Sequence, residues 1–167
     1  MQYFEFDRIQ SHSDEIHENH SDFNFIMNVH NPYKRLVSIF NLIKKDEKYS
    51  TLKFENWIRR NVEESDKFNS NPNQLWLSKI FLGFDHKPNY IVKVENLYKD
   101  LMKIEFIKKN FTEKLQIIFL ENIITNSYRE SDVDYWKKEY NKDLSKFVFE
   151  KFQTDFEIFN YDKDSWN

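Results

Sequence analysis

FIMNVHNPYKRLVSIF, Phe25 to Phe40, is the stretch whose reading decides the fold. The apolar-leaning run Phe23 to Val29, bounded by polar residues, has the length of a buried strand. Asn31 then suits a helix N-cap. Pro32 suits the first helical position, where a missing N–H costs nothing. Leu36, Val37, Ile39, Phe40 and Ile43 continue as one apolar helical face. A parallel interior strand over 23 to 29, turning straight into a helix at Asn31 or Pro32, is therefore predicted. His30 stands at the corner.

The flanking sequence extends this alternation. Leu52, Trp57, Ile58 and Val62 give 51 to 64 a near-helical spacing, and KFNSNPN, 67 to 73, reads as a loop. QLWLSKIFL is a short helix or apolar segment. NYIVKVENLYKDLMKIEFIKK holds a second strand, Tyr90 to Val94, and a helix from about Leu97. KLQIIFLENIITNS, 114 to 127, reads as either strand or loop. KDLSKFVFEKFQTDFEIFNYD starts as an amphipathic helix and ends in aromatics. Strands alternating with helices predict an α/β fold, a parallel sheet flanked by helices, in one domain over residues 1–167.

Composition narrows the function. Hydrophobic residues are 40% and aromatics 18% of the 167 residues, too much apolar surface for a disordered chain. A net charge of −3 gives no case for a nucleic-acid partner or an acidic membrane surface, although a local basic pocket is compatible with it. No window approaches the roughly 20 apolar residues of a membrane span, and MQYFEFDRIQ lacks the pattern of a secretory signal. There is no cysteine, which excludes disulfides and thiolate chemistry and fits a reducing compartment; a cytoplasmic location is the expectation. The single glycine, Gly83, excludes glycine-rich phosphate loops of the Walker and dinucleotide kinds.

By its residues alone the corner reads two ways. A strand feeding a helix N-terminus presents amide groups and a partial positive charge at the sheet's carboxyl edge, an arrangement that binds phosphates. The plainer alternative is a good helix start with His30 as a half-buried polar residue.

VHNPYKRLVS resembles the 3′-phosphate-binding motif of the carbohydrate sulfotransferase family, the group of the chondroitin and heparan sulfotransferases. That motif reads R-N-P-Y-x-R-L-x-S. Asn31, Pro32, Tyr33, Arg35, Leu36 and Ser38 match it, and His30 stands where the family has arginine. NPNQLWL, NYIVKVENLYKDLMKI and TNSYRESDVDYWKKEYNKDLSKFVFEKFQTDFEIFNYD are similar to further family segments in the same order, so the resemblance spans about residues 10 to 162. It implies a sulfotransferase-like, P-loop-type fold. It also implies transfer of a sulfuryl group from 3′-phosphoadenosine 5′-phosphosulfate (PAPS) to a sugar hydroxyl.

The same resemblance implies the site. Ser38 and His30 would hold the donor's 3′-phosphate, and Asn126, Ser127 and Tyr128 would lie over the nucleotide. IQSHSDEI is similar to a family segment bearing a histidine, which makes His12 the candidate general base. A solvated histidine reads equally well there. His17 and His20 fit less well, and no spacing supports a metal site among the three. Glu95 would belong to a strand-end motif, as an orienting or a catalytic group. Lys34 and Arg35 would face the donor or the solvent, with the family's equivalent of Arg35 fixed by structural contacts, and Phe156, Phe159 and Tyr161 would serve core packing. Trp76 and Trp136 are candidates for stacking on a sugar, with core packing the alternative for Trp76.

Two departures from the family stand out. Histidine lacks the permanently charged, planar fork of arginine. The family's opening strand and its P-K-x-G-x-T loop, which would hold the 5′-phosphosulfate, have no counterpart in the sequence. Truncation, a substitute segment, or a fold that serves as a nucleotide- or glycan-binding module without catalysis would each account for this. A sheet lacking that strand would expose an edge that favours pairing with another chain, including a second copy, unless QYFEF covers it.

Overall fold

The structure is a computed structural model of the chain and describes residues 24–68, 77–83, 87–110, 112 and 134–167. Its elements follow the predicted alternation. β1 (Ile26–Val29) leads to α1 (Pro32–Ile43), and α2 (Phe54–Phe68) and α3 (Leu77–Gly83) follow. β2 (Tyr90–Lys93) continues through a 3₁₀ turn, Val94–Asn96, into α4 (Leu97–Leu101) and α5 (Glu105–Asn110). A 3₁₀ helix, Tyr135–Glu139, precedes the long α6 (Lys142–Ile158).

β1 and β2 pair in parallel, with Ile26 opposite Tyr90 and Val29 opposite Lys93. The pairing is extended beyond the strands by Tyr90 N–H donating to the Phe25 carbonyl (3.1 Å) and Phe25 N–H donating to Asn89 Oδ1 (2.8 Å). The architecture is thus mixed α/β, with a small parallel sheet flanked by helices. β1 is shorter than the predicted 23 to 29, since Asn24 and Phe25 precede it without strand geometry and Phe23 lies outside the described residues. Only Val29 of β1 and Val92 of β2 are buried, while Ile91 and Val94 stay exposed.

Burial is therefore mainly helical. Tyr33, Leu36, Val37 and Phe40 of α1 fall at i, i+3, i+4 and i+7, one stripe of an α-helix, and all four are buried. They pack with Phe54, Trp57, Ile58 and Val62 of α2 and with Leu144, Val148, Phe152 and Phe156 of α6. Ile39, Ile43 and Leu52, expected on the apolar faces, lie at the edge of this cluster, and Phe54 takes the central place on α2. Edge-on aromatic contacts tie the helices together: Tyr33 to Tyr140 at 4.9 Å, Phe40 to Phe54 at 5.5 Å, and Phe54 to Tyr140 at 5.3 Å between ring centres. Such pairs add about 0.5–1.5 kcal/mol to the burial of the rings themselves.

Trp136 is buried in the same cluster, edge-on to Tyr140, and so cannot stack on a sugar. Phe156 and Phe159 are core residues, as expected. Trp76, the segment 114 to 127 and nearly all of the predicted loop 67 to 73 lie outside the described residues, although α2 runs on to Phe68. Among the described residues no helix is long and apolar enough to cross a membrane.

Candidate functional site

β1 ends at Val29 and α1 begins three residues later, so the corner consists of His30 and Asn31. The cap works as the sequence suggests. Asn31 Oδ1 accepts from Tyr33 N–H (3.0 Å) and more weakly from Lys34 N–H (3.4 Å), and Pro32 occupies the first helical position. Arg35 N–H closes the first helical hydrogen bond onto the Asn31 carbonyl at 2.9 Å. The Asn31 side-chain amide in turn donates to Ser165 Oγ (2.9 Å), tying the helix start to the end of the chain.

These bonds correct one expectation. The first turn of α1 has no amide left to offer a phosphate, because Pro32 has none and the next three are used. A further amide at the corner, Asn31 N–H, donates to Glu95 Oε1 at 2.8 Å. An internal carboxylate therefore stands where the helix-start argument places an external anion.

Glu95 reaches this point from the 3₁₀ turn after β2, which the parallel register sets beside the end of β1. Its Oε1 is 3.7 Å from His30 Nε2, an ion pair when the imidazole is protonated. Its Oε2 accepts from the Tyr161 hydroxyl at 3.0 Å. Burial and the neighbouring Glu95 carboxylate push the Tyr161 hydroxyl far up, so it remains a proton donor. Tyr161 is thus more than a packing residue, the role the sequence suggested.

Tyr161 is aimed by the end of α6. Asn160 takes a left-handed conformation (φ 50°), Tyr161 N–H donates to the Phe156 carbonyl, and Asn160 N–H donates to the Glu157 carbonyl. This is the Schellman pattern of helix termination. Lys93 holds the turn from the other side: its ammonium donates to the Asn160 carbonyl (2.7 Å) and lies 4.3 Å from the Tyr161 ring centre.

The other motif residues divide between site and scaffold. Tyr33 is scaffold, its buried hydroxyl donating to the Lys163 carbonyl (2.8 Å) and the Ser145 carbonyl (3.3 Å). Arg35 is half-buried on α1. Burial lowers its guanidinium to about 10, opposed by the charge of Asp155 on α6. Ser38 is half-buried on α1, four residues beyond Lys34 and so on its face. It lies about 9 Å along the helix axis from Pro32. A phosphate held by both His30 and Ser38 would lie along the flank of α1 and be gripped by side chains.

His12, His17, His20, Asn126, Ser127 and Tyr128 lie outside the described residues. Among the described residues no group of three acidic or histidine side chains is placed to hold a metal ion. A cleft of about 560 Å³ adjoins the corner and shares Lys93, Asn96 and Asn160 with its surroundings. A second, of about 450 Å³, opens at the far end of α1 beside Leu42, Tyr49 and Trp57. Neither cleft is lined by His30 or Ser38.

Sequence reasoning placed Glu95 in a strand-end motif without a partner. Its pairing with the corner joins residues 64 and 66 positions apart, which no local pattern encodes. The signal that could have found it is the register itself: with Val29 opposite Lys93, two residues further along each chain Asn31 and Glu95 come side by side.

Comparison with known proteins agrees with the motif order. Neither curated proteins nor solved structures give a significant match. The model of the sulfotransferase family matches residues 4–162, nearly the whole chain and the corner with it. The chain belongs to the sulfotransferase family.

Proposed function

We propose that the protein transfers a sulfuryl group from PAPS to the hydroxyl of a carbohydrate or a similar acceptor. The observation that carries this reading is the family match over 4–162, which includes a corner where His30 and Ser38 share one strand-to-helix unit. In the reaction the acceptor oxygen forms a bond to sulfur as the bond from sulfur to the 5′-phosphate oxygen breaks. Adenosine 3′,5′-bisphosphate leaves with the electron pair. His12 takes the acceptor's proton. His30 and Ser38 bind the donor's 3′-phosphate, and Asn126, Ser127 and Tyr128 cover the nucleotide.

One observation favours a second reading, a binding module derived from the same fold that performs no transfer. The Glu95 carboxylate already meets the corner's amide and stands 3.7 Å from His30, so part of the positive potential is met internally.

Calorimetry with adenosine 3′,5′-bisphosphate tests the shared premise. Binding is expected to be tighter near pH 6 than pH 8, because a neutral imidazole cannot replace arginine as a cation. Ser38→Ala should weaken it. His30→Arg should strengthen it roughly tenfold by supplying a permanent charge-assisted donor. Affinity that is flat with pH and indifferent to both substitutions would remove the site from this corner. Sulfuryl transfer from PAPS to a panel of glycans then separates the readings: binding without transfer to any acceptor favours the module.

A further inference from the structure

Glu95 makes two hydrogen bonds and one charge contact, and these have different requirements. The bonds from Asn31 N–H and the Tyr161 hydroxyl need an oxygen acceptor and a polar partner, both of which a glutamine supplies. The contact with His30 needs a negative charge. A group serving only to brace the turn after β2 would have no use for the third. We propose that Glu95 is a positioning residue that holds the His30 imidazole as a cation at the phosphate-binding end of the site, an inference that rests on the donor-binding reading above.

The carboxylate is built to stay where it is. Asn31 N–H fixes one oxygen from the start of α1, and Tyr161 fixes the other from the end of α6. Tyr161 is itself anchored by the turn at Asn160 and by the Lys93 ammonium over its ring. Two elements distant in sequence, the start of α1 and the end of α6, therefore converge on one oxygen pair beside the imidazole. Where the family motif carries arginine, a histidine with a held carboxylate 3.7 Å away supplies a cation in its place.

Other ionisable groups surround the pair. Lys93 comes from β2 and Asp100 from α4, where Asp100 is bonded to Lys103 and adds to the negative potential at Tyr161. Asp162 and Asp164 follow α6, and Tyr33 on α1 has its hydroxyl pushed up by burial first and then by the charges of Asp164 and Asp162. Lys34 and Arg35 lie on α1, with Arg35 in the field of Asp155. The same groups are present in the wild type and in a Glu95 variant, so a comparison of the two reads the pair.

The test is the titration of the His30 ring in the ligand-free protein, followed by proton–carbon NMR and assigned by loss of its signal in His30→Asn. Glu95→Gln should lower the His30 titration midpoint, a loss of about threefold or more in proton affinity, with melting temperature little changed. Nucleotide affinity at pH 7 should fall and recover on acidification. Tyr161→Phe keeps the charge but frees one oxygen, and should move the midpoint the same way by less. It decides the matter if Glu95→Gln does not fold. An unmoved midpoint in the folded variants overturns the proposal, whatever the nucleotide does. A lowered midpoint in a protein that binds no adenosine 3′,5′-bisphosphate retains the pairing and overturns the donor reading instead.

Discussion

Two carboxylates, Asp155 and Glu95, each accept a hydrogen bond from the start of a helix, and the contrast between them separates scaffold from site. Asp155 reaches from α6 to the beginning of α3. Its Oδ2 accepts from Leu77 N–H and its Oδ1 from Ser78 N–H, each at 2.9 Å, and the Ser78 hydroxyl donates to Oδ1 as well. It is buried, and Arg35 supplies a charge from α1. Glu95 accepts one amide at the start of α1, but its side chain remains 27% exposed and its remaining partners are a histidine and a tyrosine. Both satisfy helix-start donors. The carboxylates themselves differ in access: Asp155 is 1% exposed, whereas Glu95 and its charge partner His30 keep side chains 27% and 23% exposed. The helix cap is common to both, so a cap by itself does not indicate function; the accessibility of the carboxylate is what separates them.

The strongest way to break this comparison is Asp155→Ala. Two backbone amides and a hydroxyl would lose their acceptor and Arg35 its opposing charge, at a cost of about 3 kcal/mol or more. Urea denaturation should show the midpoint falling with nucleotide binding retained below it. A loss within about 0.5 kcal/mol, the range of ordinary surface changes, would mean that Asp155 is not a clamp.

Asn31→Ala comes next, with an expected loss of about 1–2 kcal/mol from the removed cap. It also frees Ser165 and releases two amides of α1 that Asn31 now occupies. If helix-start amides can serve as the phosphate cradle, this variant should bind adenosine 3′,5′-bisphosphate better despite lower stability. Side-chain binding by His30 and Ser38 predicts weaker binding or none gained.

A smaller effect sharpens the contrast through pH. Burial raises the Asp155 carboxyl above its ordinary value, against the bonds from Ser78 and Leu77 and the charge of Arg35. A raised carboxyl binds its proton more readily in the folded than in the unfolded protein. Its contribution is therefore fully present below the ordinary aspartate value of about 4 and is lost as pH rises through the raised one. The melting temperature of the wild type relative to Asp155→Asn should accordingly fall as pH increases through that window and then level off. A difference that instead grows with pH would reverse the assigned cause.

The smallest expected change is at the turn that aims Tyr161. Asn160→Gly relieves a left-handed residue of its side chain and should stabilise by about 0.5 kcal/mol or leave stability unchanged, whereas Asn160→Ala should lose about as much. Thermal melts of the pair measure it. Equal melting temperatures would mean that the turn tolerates any residue and does not constrain Tyr161.

The sequence by itself determined what depends on neighbours a few residues away. Asn31 followed by Pro32 sets a helix start whatever surrounds it, since the cap bonds span two and three residues. The 3.6-residue stripe on α1 selects Tyr33, Leu36, Val37 and Phe40 for burial by the same short-range geometry. The ordered motifs carried the family, because that order lies in the chain itself. Tertiary structure alone decided which distant groups share a charge. It set Glu95 against His30, Tyr161 against Glu95, and Asp155 against Ser78, across separations of 65, 66 and 77 residues. It also moved Trp136 from a candidate binding face into the core. Local signals fix where helices and strands begin and which face is apolar. Strand register and helix packing then bring distant carboxylates to amides and imidazoles, and a carboxylate such as Glu95 acquires its partners only when β1 and β2 pair.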